Sequence, residues 1–229
     1  MNIYFLVEGR STEKKIYPKW LKHLVPKLKK VDHYNQVEGN SYYLISGNGY
    51  PAIISDGIPN AVDKITEVST YDYLVICIDA DEDTVEERKN YIYDFIEKNK
   101  IELGKTKLIL IIQNRCIETW LIGNRKMFDS RQPQEEPLSS YAKYYDVSQY
   151  DPELMGDYDG SNHAKFHGSY LKEVFKAKNL SYTKKFPGEA QKEHYLDQLL
   201  KRIDEKSEHL QTFQSFIQFC EMINRKINT

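Results

Sequence analysis

Residues 72–83 read DYLVICIDADED, and residues 2–13 read NIYFLVEGRSTE. The first stretch is an unbroken apolar run rich in β-branched residues, as a central strand covered on both faces requires, and it closes on Asp79, Asp81 and Asp83. The second is a shorter buried-strand pattern that closes on Glu8. Gly9 follows, then Ser11 or Thr12 as an N-cap, then a helix whose apolar stripe is Ile16, Trp20, Leu21, Leu24 and Leu28. Working outward, SYYLIS at 41–46 and TKLILIIQ at 106–113 read as further strands. Helical patterns follow them: one carrying Ile53, Ile54, Ala61, Ile65 and Val68, one at 84–99, and a short one in CIETWLIGN at 116–124. Four strand-then-helix units predict an α/β fold with a mainly parallel sheet of about four strands flanked by helices.

Beyond residue 128 the pattern weakens. SRQPQEEP at 130–137 reads as an exposed loop, and the tyrosine-rich stretch at 141–158 has no clear period. From 169 the chain is helical in two or three pieces, broken near KKFPGE at 184–189. It ends in a helix whose Phe213, Phe216, Ile217 and Cys220 suit docking on the core. The expected division is a catalytic core at 1–128 and a mostly helical C-terminal region, packed on it, at 129–229.

The chain has 229 residues, 40% hydrophobic and 29% charged, which suits one globular domain or a core with an appended lobe. No run approaches the eighteen or so apolar residues of a membrane span, and Glu8 interrupts the first apolar stretch, so no membrane anchor and no signal peptide are expected. Cys77, Cys116 and Cys220 lack metal-ligand spacing and are odd in number, which argues for a reducing cytoplasm. Net charge is −2 and pI about 6.3, so there is no global bias towards nucleic acid. Local bias exists: Lys14, Lys15, Lys19, Lys22, Lys27, Lys29 and Lys30 are concentrated early, and DADEDTVEE at 79–87 is acidic. Lysines for phosphates beside carboxylates for metal would suit a nuclease, and a solvated helix face is the plainer reading.

In an open parallel sheet, ligands gather beyond the carboxyl ends of the strands, which selects Glu8, Asp79 and Gln113 with their loops. Two ionised carboxylates about 4 Å apart repel by roughly 4 kcal/mol at an effective dielectric near 20, so a cluster needs a shared proton or a cation. Acids without a nearby Cys or His favour a hard ion, Mg²⁺ or Mn²⁺. An EF-hand starting at Asp79 fails, because Thr84 and Asn90 stand where Gly and Glu are needed. A haloacid-dehalogenase nucleophile motif fails on Asp83, where it requires Thr. An acidic helix start explains Asp83, Glu86 and Glu87, but less well why an acid closes both inner strands. His163 and His167 have the i,i+4 spacing of a Zn²⁺ pair, yet Gly160 and Gly168 bracket too short a segment for a helix, and no Glu accompanies them.

VEGRSTE at 7–13 and DAD at 79–81 together resemble the TOPRIM signature, a Glu-Gly after the first strand and an Asp-x-Asp after a later one. The Glu-Gly-x-x-x-Glu form at 8–13 and IETWLIGN at 117–124 resemble the OLD-type and RloB-like branch of bacterial phage-defence proteins. The resemblance covers roughly residues 1–125. It implies Glu8 as metal ligand or general base, Asp79 and Asp81 as Mg²⁺ ligands, Glu13 and Asp83 as further acids of the metal centre, and Glu118 as a ligand completing a second metal site. Arg115 is the candidate for phosphate or transition-state contact, with Lys165, Lys184 and Lys185 weaker candidates; the resemblance to OLD-type sites also implies a lysine from the C-terminal part, which no local motif identifies. The implied activity is metal-dependent hydrolysis of phosphodiester bonds in DNA or RNA, in anti-phage defence and with no tyrosine nucleophile. A partner ATPase is implied too, because the chain has no phosphate-binding G-x-x-x-x-G-K-[ST] loop, and a homodimer is a further possibility. The competing readings are an inactive TOPRIM module that binds nucleic acid or regulates, and a small-nucleotide phosphohydrolase. The tyrosines at 141–158 either stack on exposed bases or pack against the core.

Overall fold

The computed structural model describes residues 1–128 and 131–228. Asp129 and Ser130, where the expected boundary falls and the expected exposed loop begins, lie outside the described residues.

Five strands form one parallel sheet: β1 (Asn2–Val7), β2 (Lys29–Lys30), β3 (Ser41–Ser46), β4 (Tyr73–Asp79) and β5 (Lys107–Gln113), in the order β2-β3-β1-β4-β5. Four are the strands expected from the apolar runs, and the fifth is new. β2 is two exposed lysines, too short for any periodicity, and its charge blunts an edge that would otherwise template aggregation. β1 and β4 have neighbours on both sides, and every residue in them is buried, which is why their sequences do not alternate. Val7 stands opposite Ser46 on one side and Cys77 on the other. The register carries the carboxyl ends of β1 and β4 to one edge, as the sequence argument required.

The chain divides into two compact units. The first comprises Met1–Ile78, Val85–Ile112 and Phe216–Thr229, and the second Asp79–Thr84 with Gln113–Ser215. This division differs from the expected one at 128/129: the acidic loop and the short helix after β5 belong with the C-terminal half.

In the first unit, α1 (Thr12–Leu24), α2 (Ile58–Val68) and α3 (Val85–Lys98) accompany the sheet. A π-helical turn at Ile53–Gly57 leads into α2, so the helix expected here begins with a wide turn. The last helix, α8 (Gln211–Asn228), contributes its C-terminal part to this unit: Phe219 meets Phe5 and Tyr73 edge-on, each at 6.1 Å between ring centroids, and Phe216 meets Tyr17 at 5.2 Å. That docking was expected of Phe213, Phe216, Ile217 and Cys220, all buried; Phe213 falls instead in the second unit, where it meets Trp120 at 5.5 Å.

The second unit holds α4 (Ile117–Ile122), α5 (Leu138–Tyr144), α6 (His163–Lys176) and α7 (Glu193–Glu205). The helical tail was expected from 169 but starts at 163. Asn162 caps α6 by accepting the Lys165 N–H at 2.9 Å, and a Cβ at Gly168 would meet open space, so that glycine does not stop the helix. Tyr141, Tyr144, Tyr158, Phe166 and Tyr170 form one aromatic cluster with neighbouring centroids 4.9–5.8 Å apart, while Tyr144 and Tyr150 are 45% and 61% exposed, so packing accounts for some of the tyrosines at 141–158 and not for all. Arg202 of α7 is buried and donates to the carbonyls of Gly123, Val147 and Tyr150 at 2.6–3.0 Å, tying three segments together. Among the described residues, no helix is long and apolar enough to cross a membrane.

Candidate functional site

Glu8 leaves β1 with its N–H bonded to the Cys77 carbonyl of β4 at 2.9 Å, one residue beyond the Val7–Cys77 pair. Its own carbonyl accepts from the Gly49 N–H at 3.0 Å and the Ser46 hydroxyl at 3.2 Å, and its Oε1 accepts from the Tyr50 N–H at 3.2 Å. Gly49 has φ +91°, a conformation that L side chains rarely adopt, and its peptide reaches Glu8 from there. The loop after β3 thus fixes the position of this half-buried acid.

Glu13 takes a different part. It is 4% exposed, and its Oε1 accepts the Gly9 N–H at 3.0 Å, so the second acid of the Glu-Gly-x-x-x-Glu form closes its own loop. A Cβ at Gly9 would overlap the Glu13 carboxylate, so the glycine is needed for this close approach. Burial first, and then the Glu13 charge, push the Cys77 thiol above its ordinary range, while a hydrogen bond with Tyr17 opposes them.

In the second unit, two loops are laced together. The Ala80 N–H donates to the Gln113 carbonyl and the Asp81 N–H to the Arg115 carbonyl, both at 2.9 Å. In return, Arg115 Nη1 donates to the carbonyls of Asp81, Glu82 and Asp83 at 3.1–3.3 Å. Asp81 and Arg115 both lie in the left-handed region, at φ +51° and +70°. Such conformations in non-glycine residues cost on the order of 1–3 kcal/mol each and persist where surrounding bonds over-determine them. Arg115 therefore positions the acidic loop through one face of its guanidinium. Asp79 is 8% exposed, Asp81 half-buried, and Asp83 exposed in a turn closed by its N–H to the Ala80 carbonyl.

Glu82, absent from the sequence candidates, anchors the loop at its other end: it accepts the His163 N–H at 2.9 Å and faces His163 Nδ1 at 2.5 Å. Burial alone would raise the Glu82 carboxyl, but the His163 bonds and the Arg115 charge outweigh it and hold it below its ordinary value. His163 and His167 do share a helix, contrary to the sequence expectation, yet they are not a metal pair. His167 lies with Nδ1 2.7 Å from the Thr119 hydroxyl and Nε2 3.2 Å from the Met155 carbonyl, and burial lowers its pKa to about 4.

Glu118 is the most deeply placed acid of the site. It stands in the first turn of α4, 1% exposed, with the Tyr182 hydroxyl donating to Oε1 at 2.9 Å and Lys184 Nζ 3.9 Å from the same oxygen. Oε2 is buried and has no hydrogen-bond partner among the described residues. Burial first, then the charges of Glu118 and Asp79, drive the Cys116 thiol well above its ordinary range. Of the weaker lysine candidates, the structure brings Lys184 to a candidate acid. Tyr182 was missed because it lies in an irregular stretch 64 residues from its partner, with no local motif to mark it.

Among the described residues, the side chains of Asp79, Asp81, Asp83 and Glu118 do not place three ligand atoms within 4.8 Å of one another. No family model matches the chain, and comparison with the curated proteins and with the solved structures gave no match.

Proposed function

We propose that the chain is a Mg²⁺- or Mn²⁺-dependent nuclease whose metal site is built on Asp79 and Glu118, with Asp81 on the same loop as Asp79. The observation that carries this reading is Glu118: a carboxylate 1% exposed, its Oε2 buried without a hydrogen-bond partner among the described residues. A buried carboxylate oxygen of this kind suits a hard cation, the charge that an all-oxygen set accepts best. A divalent ion held there supplies charge neutralisation and Lewis-acid polarisation at a phosphoryl oxygen.

The chain's own residues do the rest. Tyr182 orients Glu118 through Oε1, and Lys184 adds positive charge where a phosphate's developing negative charge would be stabilised. Arg115 and Glu82 hold the acidic loop from either end, so Asp81 is presented by a braced segment rather than a mobile one. Phosphodiesters of DNA or RNA are the substrates this charge pattern suits. Buried thiols at Cys77, Cys116 and Cys220 fit a reducing compartment, and the reading places the enzyme in the cytoplasm.

The test is incubation with labelled single-stranded and duplex DNA, RNA and a mononucleotide panel in Mg²⁺, Mn²⁺ or EDTA. Cleavage of polymer in either metal is expected, abolished by EDTA and lowered at least about 100-fold in Asp79→Asn and Glu118→Gln. Turnover of mononucleotides alone, or cleavage that survives EDTA, contradicts the proposal.

A further inference from the structure

His163 and His167 stand one turn apart on α6, and each ring is bonded to a different segment that carries a candidate acid. Their centroids lie 6.1 Å apart with the planes at 81°. His163 holds the acidic loop. Glu82 accepts its N–H at 2.9 Å and faces its Nδ1 at 2.5 Å. A carboxylate offers lone pairs alone, so both nitrogens donate, and the Glu82 charge also sits at the positive end of the helix.

His167 holds the other segment. Its Nε2 lies 3.2 and 3.3 Å from the carbonyls of Met155 and Gly156, which can only accept, so in the neutral ring Nε2 carries the proton and Nδ1 is bare. The Thr119 hydroxyl, 2.7 Å away, therefore donates to Nδ1, and its oxygen in turn accepts the Cys116 N–H at 3.4 Å. That chain of bonds runs through the first turn of α4, where Glu118 sits. Between the two rings the helix is itself fixed: Phe166, Tyr170, Leu171, Val174 and Phe175 are buried, and Asn162 caps the first turn. Four helical residues rise about 6 Å, a length that does not stretch. A loop and a short helix that could otherwise move independently are tied to one rod at a set interval.

We infer that His163 and His167 are positioning residues that act as a pair through α6, together setting the distance between the loop bearing Asp79 and Asp81 and the turn bearing Glu118. That these acids hold a divalent ion rests on the nuclease reading above, whereas the bracing rests on the hydrogen bonds alone. Each histidine works through an intermediary, Glu82 for the loop and Thr119 for the turn, so both act on the candidate ligands from behind.

The experiment uses the full chain without substrate. Amide hydrogen exchange is followed at residues 80–83 and 116–119, with β1 as the reference, and Mn²⁺ affinity is read from the electron paramagnetic resonance of the free ion. His163→Ala is expected to speed exchange at 80–83 at least about tenfold, and His167→Ala to do the same at 116–119, with β1 unchanged. Each should weaken Mn²⁺ binding about tenfold. His163→Asn keeps a donor where Nδ1 lies, and His167→Asn keeps an acceptor there. Both should return to within about threefold of wild type, which a loss of packing alone would not allow. Because the two residues act through one helix, His163→Ala/His167→Ala should lose less Mn²⁺ affinity than the product of the single losses. Exchange unchanged at 80–83 in His163→Ala, or raised equally in β1, overturns the inference, and so does a double variant whose losses multiply. Wild type that binds no Mn²⁺ contradicts the nuclease reading instead, and exchange then decides this inference by itself.

Discussion

Glu153 shows how much a single carboxyl can carry in this unit. It is 7% exposed, its Oε1 accepts from the Thr212 hydroxyl and N–H at 2.5 and 3.1 Å, its N–H reaches Asp151 at 3.1 Å, and its carbonyl accepts from Asn114 at 2.9 Å. Burial outweighs the Thr212 bonds, and its pKa rises to about 7. A carboxyl that holds its proton more tightly folded than unfolded contributes stability that is full below the ordinary carboxyl range and is lost as pH rises through about 7. Glu153→Gln keeps an acceptor for Thr212 without the charge. Denaturant titrations should therefore find the variant about 1–3 kcal/mol more stable than wild type at pH 8, with the gap closing towards pH 5. A gap of the same size at both pH values contradicts the assignment. No sequence pattern marks Glu153, because what perturbs it is a burial and a partner 59 residues away. Glu8 and Asp79 were legible for the opposite reason: each ends an apolar run, and strand ends are where a parallel sheet gathers its ligands.

At the scale of elements, long unbroken apolar runs were the reliable signal. NIYFLV and SYYLIS match β1 and β3 residue for residue, and β4 and β5 start one residue later than expected. Where tertiary bonds rather than pattern define a segment, the sequence was silent. The edge strand β2, the start of α6 at 163 and the lacing of the two site loops are of this kind. That lacing points to a bracing part for Arg115 besides the phosphate contact expected of it. Arg115→Ala removes Nη1 from three carbonyls and frees two loops held in left-handed conformations. A stability loss of about 1–3 kcal/mol is expected, together with a fall in kcat larger than any rise in KM, since the bracing positions acids rather than binding substrate. Selective loss of KM with kcat intact would favour the phosphate contact instead.

For the whole chain, the balance of charge conceals its arrangement. A net charge of −2 gives no hint that acids close the inner strands. The resemblance to TOPRIM nucleases drew attention to Glu8, Asp79, Asp81 and Glu118. In the structure Asp79 and Glu118 are buried, Glu13 closes its own loop and Asp83 is exposed. The most direct test of the central claim is anomalous diffraction from crystals soaked in Mn²⁺. The account predicts a peak about 2.2 Å from Glu118 Oε2 or an Asp79 carboxylate oxygen, lost in crystals of Glu118→Gln/Asp79→Asn. A well-ordered site with no Mn²⁺ peak near either carboxylate would contradict it.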